Sequence, residues 1–217
     1  MAPPSGAQMR TSGGQMNISS ATLANTQRTI DSYEGCADDY SRIVDQFPWP
    51  SLEAALRQVA TAAGKGGQIL EIGSGAGWDA DFLETQGVSV RRTDATRRFL
   101  ELQAARGKKG ELLNVITDDL GGPYDAVVAL CVLIHAPRDQ TGPVLEKIVA
   151  ALRPGGVFLV SMRDGDGETS GAYHMSYWRR DDFALCIKEA GLALEWDAHR
   201  VNRDGDGWHT FYARRPE

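Results

Sequence analysis

The chain has no uninterrupted apolar run of the roughly 18 residues that a membrane-spanning helix needs. Its first residues also lack the apolar stretch of a secretory signal. It is poor in cysteine: Cys36, Cys131 and Cys186 are far apart and form neither a CxxC pair nor a zinc-ligand spacing. A disulfide scaffold and a Cys-based metal site are thereby excluded, and three free thiols fit a reducing, cytoplasmic setting. There is no surplus of positive charge. Lys and Arg number 23 against 29 Asp and Glu, a net charge of −6 over 217 residues. Phosphate neutralisation requires the opposite balance, so no dedicated nucleic-acid binding and no membrane association are expected.

What is present is ordinary for a globular protein: 42% hydrophobic and 24% charged residues. Residues 1–17 are rich in Gly, Pro, Ser and Gln, with almost nothing to bury, and read as a disordered leader. Residues 18–217 read as a single domain, with a helical cap over 18–65 and a core over 66–217. Ile30, Tyr33, Ala37, Tyr40, Ile43 and Val44 recur at helical spacing between Ser19 and Gln46. Pro48 and Pro50 break that helix, and Ser51 is placed to cap a second one, which the glycines at 64, 66 and 67 terminate.

From Gln68 onward, strand and helix patterns alternate. Strands are expected at 68–72, 88–93, 112–116, 124–132 and 157–162, with helices at 76–86, 96–106, 139–152 and 180–190. Two final strands, 192–200 and 208–214, have no helix between them. This order predicts an α/β fold with a Rossmann-like, doubly wound, seven-stranded sheet, mostly parallel with an antiparallel C-terminal hairpin, preceded by N-terminal helices. The stretch 163–180 is too long and too aromatic for a simple turn and reads as an insertion or lid.

The strongest local signal is Glu71-Ile72-Gly73-Ser74-Gly75-Ala76-Gly77, directly after the first strand. Its third glycine comes one residue too early for a dinucleotide fingerprint, and Trp78 stands where that pattern wants a small residue. No Gly-Lys-Ser/Thr follows, so it is not a P-loop. The sequence here resembles the class I S-adenosylmethionine-dependent methyltransferases, whose first motif is acidic-x-G-x-G-x-G. The resemblance runs from about Tyr33 to Arg214. It includes Asp94 at the end of strand two, Asp118-Asp119 after strand three, Leu133 to Pro137 after strand four, and the turn Leu152 to Gly156 before strand five.

The resemblance implies S-adenosyl-L-methionine as cofactor, with S-adenosyl-L-homocysteine as product. Gly73, Ser74, Gly75 and Gly77 would cradle its amino-acid part, and Glu71 would meet its ammonium. Asp94, with Ala95 beside it, would take the ribose hydroxyls. Asp118 or Asp119 would read the adenine amino group, Leu130 and Cys131 would offer backbone oxygens, and Tyr40 would cover the ligand.

Methyl transfer from a sulfonium is an in-line displacement, so the protein chiefly positions the acceptor, excludes water and removes a proton. His135, just after strand four, is the candidate general base and also faces the acceptor. Tyr33, Trp49, Arg163, Tyr173, His174 and Trp178 are the other candidate acceptor contacts. Asp164, Asp166 and Glu168 lack the spacing of a calcium loop, His199 and His209 are read as surface or pairing residues, and no metal is expected. The size, charge and aromatic insertion favour a small-molecule acceptor, of natural-product or secondary-metabolic type, bound by a monomer or homodimer. The alternatives are a protein or RNA methyltransferase, for which Arg91, Arg92, Arg97, Arg98, Arg106, Lys108 and Lys109 are the basic cluster, or a non-catalytic binder of the cofactor.

Overall fold

The computed structural model describes residues 18–44, 50–202 and 204–217, with no account of the side chains at 50 and 51. The leader 1–17 and Trp49 lie outside the described residues. Two helices come first, α1 (Ser20–Ile43) and α2 (Pro50–Ala63). Ser19 caps α1 by accepting the Thr22 N–H at 3.0 Å. The second helix includes Pro50, one residue before the expected cap at Ser51. Proline suits a first helical position because its missing N–H has no partner there anyway.

The core then runs β1 (Gln68–Ile72), α3 (Trp78–Thr85), β2 (Ser89–Asp94), α4 (Arg97–Ala105), β3 (Gly110–Leu112), β4 (Tyr124–Ala129), a short 3₁₀ turn (Leu133–His135), α5 (Arg138–Ala151) and β5 (Leu152–Arg163). It ends with β6 (Gly167–Ser170), β7 (His174–Tyr177), α6 (Arg180–Glu189), β8 (Ala193–Val201) and β9 (Gly207–Arg214). Strands β3-β2-β1-β4-β5 are parallel neighbours, and β9 pairs antiparallel to β5 and β8 to β9. These make the seven-stranded sheet that the alternation predicts. Two further strands extend it. The segment 163–180 folds into the hairpin β6–β7, which joins β5 where Arg163 registers with Tyr177.

Central strands are buried on both faces, which is why they read as unbroken apolar runs. One face of the sheet packs Leu70, Val127, Phe158 and Val160 under α5 and α6. The other packs Ile69, Val128, Leu159 and Tyr212 under α2 and α3. The third strand differs from expectation: it ends at Leu112, not Ile116. The ladder survives one more bond, Leu113 N–H to Asp94 O at 2.9 Å. The Asn114 side chain then accepts the Ile116 N–H at 3.0 Å, an Asx turn that bends the chain out of the sheet.

Behind the glycine loop sits a buried cation. Arg92 is 2% exposed and pairs with Asp81 at 2.7 Å and Glu84 at 2.8 Å on α3, while also donating to Gly77 O. Gly77 has φ +83°, and a Cβ there would press on Gln103 and Arg92. Gly77→Ala is therefore expected to cost about 1–2 kcal/mol for the left-handed backbone alone, with a further loss as Gln103 is displaced, measured by urea unfolding.

Candidate active site

The C-terminal ends of β1, β2 and β4 converge on one cleft, about 820 Å³ with its solvent-filled mouth included. This is the edge where open α/β sheets bind ligands. Its floor is the turn after β1. Gly73 (φ +69°) and Gly75 (φ +50°) both take left-handed backbone, and a Cβ on Gly73 would collide with the Val132 side chain. The Ser74 N–H bonds Thr93 O at 2.8 Å, which ties the turn to β2. Gln103, fully buried on α4, donates to Ser74 Oγ and to Gly75 O, each at 2.8 Å. Ser74 and Gly77 thus build the loop from behind, whereas Gly73 and Gly75 line the cleft.

Asp94 is buried at the end of β2. One carboxylate oxygen accepts the Gly75 N–H and the other the Thr96 N–H, both at 2.8 Å. Burial pushes its pKa up, partly offset by these two bonds. The Thr96 side chain also bonds it, and because an ionised carboxylate has about four acceptor sites, capacity is left for a ligand. Glu71, 4% exposed, is pushed well above the usual carboxylate range by burial and by the neighbouring Asp79. Its Oε2 has no hydrogen-bond partner among the described residues. Asp79, in the first turn of α3, is itself raised by burial to about 6. The charge of Arg92 offsets this only in part, which leaves this end of the loop suited to an ammonium group.

At the end of β4, Leu130 and Cys131 line the cleft. Cys131 has φ +57°, unusual for a side chain with a Cβ, and its N–H is held by Ser161 Oγ at 2.8 Å. Burial raises its thiol pKa, so it stays neutral and unreactive. From the turn after β3, Asn114, Val115 and Ile116 face the cleft. Asp118 and Asp119 do not. Asp118 accepts from the Asn114 N–H and from Thr117 Oγ1, and Asp119 from the Gly121 N–H, so both fold their own loop.

Helix α1 forms the opposite wall with Thr26, Thr29, Ile30, Tyr33 and Tyr40. Tyr33 sits at the centre of an aromatic cluster, 4.7 Å from Tyr173, 5.4 Å from His135 and 5.8 Å from Tyr40 and Phe99. Its hydroxyl is 2.9 Å from His135 Nε2, and His135 Nδ1 is 2.8 Å from the His174 carbonyl. A carbonyl only accepts, so Nδ1 carries the proton and Nε2 accepts from Tyr33. Burial lowers the His135 pKa and raises those of Tyr33 and Tyr40, the latter to about 12. The imidazole is therefore neutral at physiological pH, with its basic nitrogen facing the cleft wall.

Three expected acceptor contacts lie elsewhere. The His174 ring is buried beside Ser170 and Ser176, each at 3.3 Å, and only its backbone serves the cleft. Trp178 packs against Phe183, with the Arg138 guanidinium 3.9 Å over its ring. Arg163 pairs with Asp206. Sequence reasoning missed the buried Thr22, Thr26 and Thr29 on one face of α1, a helical spacing hidden by its polarity. It also missed Glu34, whose carboxylate accepts the Arg97 and Arg98 N–H groups at 2.7 and 3.0 Å and so caps α4 from α1. Arg98 returns a two-pronged bond to Asp38 at 2.8 Å. On its other side α1 is held by Ser32 Oγ to Ala172 O at 2.6 Å and by the His174 N–H to Thr29 Oγ1 at 2.9 Å.

Comparison with known proteins follows the same lines. Residues 70–158 match the family model of a methyltransferase domain. A protein-L-isoaspartate O-methyltransferase of Dinoroseobacter shibae is 33% identical over 125 residues, 56% of each chain, so the present chain spans about half the length of that curated relative. The 1,6-didemethyltoxoflavin-N1-methyltransferase of Burkholderia thailandensis, solved with 1,6-didemethyltoxoflavin and S-adenosylhomocysteine, superposes with a TM-score of 0.68 at 21% identity, covering 99% of this chain and 94% of its own. The N-methyltransferase NodS of Bradyrhizobium japonicum, solved with S-adenosylhomocysteine, gives 0.67 at 18% identity, covering 89% and 100%.

Removing the cap that joins α1 to α4 tests the wall's anchorage. Glu34→Ala is expected to cost about 1 kcal/mol and to speed proteolytic cleavage within α1, read by limited digestion.

Proposed function

We propose that this chain, which carries the class I S-adenosylmethionine-dependent methyltransferase domain, transfers a methyl group to an O, N or S atom of a small organic acceptor. One observation carries the reading. A neutral imidazole with its basic nitrogen free of any cation shares a single cleft with the glycine turn and Asp94. S-adenosylmethionine, when bound, supplies a methyl group on a positively charged sulfur, already activated for in-line displacement.

The remaining work falls to the protein. The backbone of Gly73 and Gly75 approaches the ligand closely, and the remaining acceptor capacity of Asp94 binds the ribose hydroxyls. Glu71 and Asp79 balance the ammonium. Asn114 and the backbone of Val115 take the adenine edge, a role first sought at Asp118 or Asp119. Tyr40 and Phe99 cover the cofactor side, with Ala95, Leu130 and Cys131 as the remaining wall. Tyr33, Tyr173 and Thr26 face the acceptor. The Thr26 hydroxyl is buried without a partner among the described residues, which suits a polar acceptor atom.

His135 takes the acceptor's proton at Nε2, displacing or acting through the Tyr33 hydroxyl. The His174 carbonyl keeps the ring in the required tautomer. An aromatic wall of this kind fits a flat, natural-product-like molecule. Three unpaired thiols support a reducing, cytoplasmic location. Among the described residues, no helix is long and apolar enough to cross a membrane.

A protein acceptor is the second reading, favoured by the isoaspartate methyltransferase relative. Against it, α1 walls the cleft and is anchored to α4 on one side and to the start of β7 on the other. The basic cluster that would guide a polyanion is largely spent on ion pairs: Arg91 with Glu111, Arg92 with Asp81 and Glu84, Lys108 with Glu84.

Incubation with methyl-labelled donor and a fractionated metabolite extract should give a small product of added methyl mass. Labelled protein alone would favour the second reading. His135→Gln should lower kcat by roughly 10² or more while leaving S-adenosylhomocysteine affinity within a few-fold. Because the folded imidazole pKa is depressed, the base stays active below the usual imidazole range. The acid limb of kcat/KM in the wild type should therefore lie below about 6.5.

Cofactor binding should also release protons. Glu71 and Asp79 have raised pKa values in the free protein and would ionise beside an ammonium. Between about pH 5 and 7, affinity for S-adenosylhomocysteine should rise with pH. Calorimetric enthalpies should vary with the buffer's ionisation enthalpy, an effect that Glu71→Gln reduces.

A further inference from the structure

A second cluster of chemistry-bearing side chains stands where β5, β8 and β9 meet, apart from the residues that line the cleft. His199 on β8 and His209 on β9 are direct cross-strand partners, so their side chains emerge on the same face of the sheet. Asp164 follows directly on β5, two residues past Met162, which registers with His209. His209 Nε2 is 3.1 Å from Asp164 Oδ1, and His199 Nε2 is 3.7 Å from Asp164 Oδ2. One ligating atom from each of the three residues falls within 4.8 Å of the others. The two imidazole rings lie 4.7 Å apart.

We propose that Asp164, His199 and His209 form a binding site for a divalent transition metal of the zinc class, which fastens the tip of the β8–β9 hairpin to the end of β5. Two imidazoles and one carboxylate are a donor set that zinc accepts, and three protein ligands leave a fourth position for water. With metal–ligand bonds of about 2.0–2.1 Å, neighbouring ligand atoms of a tetrahedral site are roughly 3.3 Å apart. The two Nε2–Oδ separations, one to each carboxylate oxygen, bracket that edge, and the remaining edge is within 4.8 Å, so side-chain rotation would close the cluster on an ion.

The scaffold is rigid where it matters. All three residues sit on or beside paired strands, and the Asp164 N–H bonds Gly207 O at 2.9 Å. A Cβ at Gly207 would press on Asp164 and on His199 Nε2, so glycine leaves the room these groups occupy. Arg163, the residue before Asp164, pairs with Asp206. His209 Nδ1 is buried without a partner among the described residues. The ring thus lacks the outer hydrogen bond that strong zinc sites give each histidine, an omission that costs roughly 10- to 100-fold in affinity.

The test uses the full chain with any affinity tag removed. Zinc is titrated in competition with a chromophoric chelator, cobalt(II) spectra are recorded, and thermal melts are run with and without zinc. The expected result is one zinc per chain, a higher melting temperature with metal, and cobalt d–d bands without a thiolate charge-transfer band. His199→Ala and Asp164→Asn alter exposed side chains. They should fold as the wild type does without metal, yet bind zinc at least roughly 10-fold more weakly and lose the thermal shift. His174→Ala should leave the stoichiometry at one. No zinc binding by the wild type, undiminished binding by both site variants, or a thiolate band that places the ion on a cysteine would each overturn the proposal.

Discussion

One carboxylate holds the cleft in shape. Asp94 accepts a backbone N–H from the turn after β1 and another from the entry to α4, so two chain segments that meet only in the folded sheet share a single anion. Its burial would be costly without those donors. Their presence fixes where Gly75 and Thr96 stand before any ligand arrives. The left-handed glycines, the buried Gln103 and the ion pairs of Arg92 all serve this junction from behind. A site prepared in this way spends little on ordering when it binds.

The second element of the design is a wall borrowed from the front of the chain. Helix α1 has few buried apolar residues of its own, its buried positions being Thr22, Thr26, Thr29 and Ala37. It is secured by Tyr33 and Tyr40 against Phe99 and by polar attachments: the Glu34 carboxylate on the N-terminus of α4, Arg98 on Asp38, and Ser32 and Thr29 on the loop before β7 and its first residue. Hydrogen bonds at a partly exposed seam are individually weak. That suits a wall which must admit a ligand and then return, since regions that open are drawn from the less stable parts of a fold.

Local patterns were readable and distant pairings were not. The alternation of strand and helix, the glycine turn and the acid at the end of β2 are short-range signals, and, the third strand apart, each appears in the structure at the expected place. After β3 the sequence points to the two acids, whereas the chain turns on Asn114 and Asp118 and Asp119 bond within their own loop. His174 was singled out for its ring, yet its carbonyl is the group that meets His135. Glu34 gave no signal at all, because its partners are amide groups more than sixty positions away. The insertion was recognised by length and aromatic content, but nothing local said that it would pair into a hairpin rather than remain a loop.

The attachments of α1 also bear on the order in which the protein assembles. Its contacts reach forward to Arg97 and Arg98, then to Ala172 and His174, spans of 60 to 145 residues. During synthesis the earliest helix must therefore wait, without its partners, until most of the sheet has emerged. Long-range closure of this kind slows folding and leaves the early segment exposed meanwhile. The ligand cleft, bounded by the first helix and by a late hairpin, is consequently among the last parts of the molecule to exist.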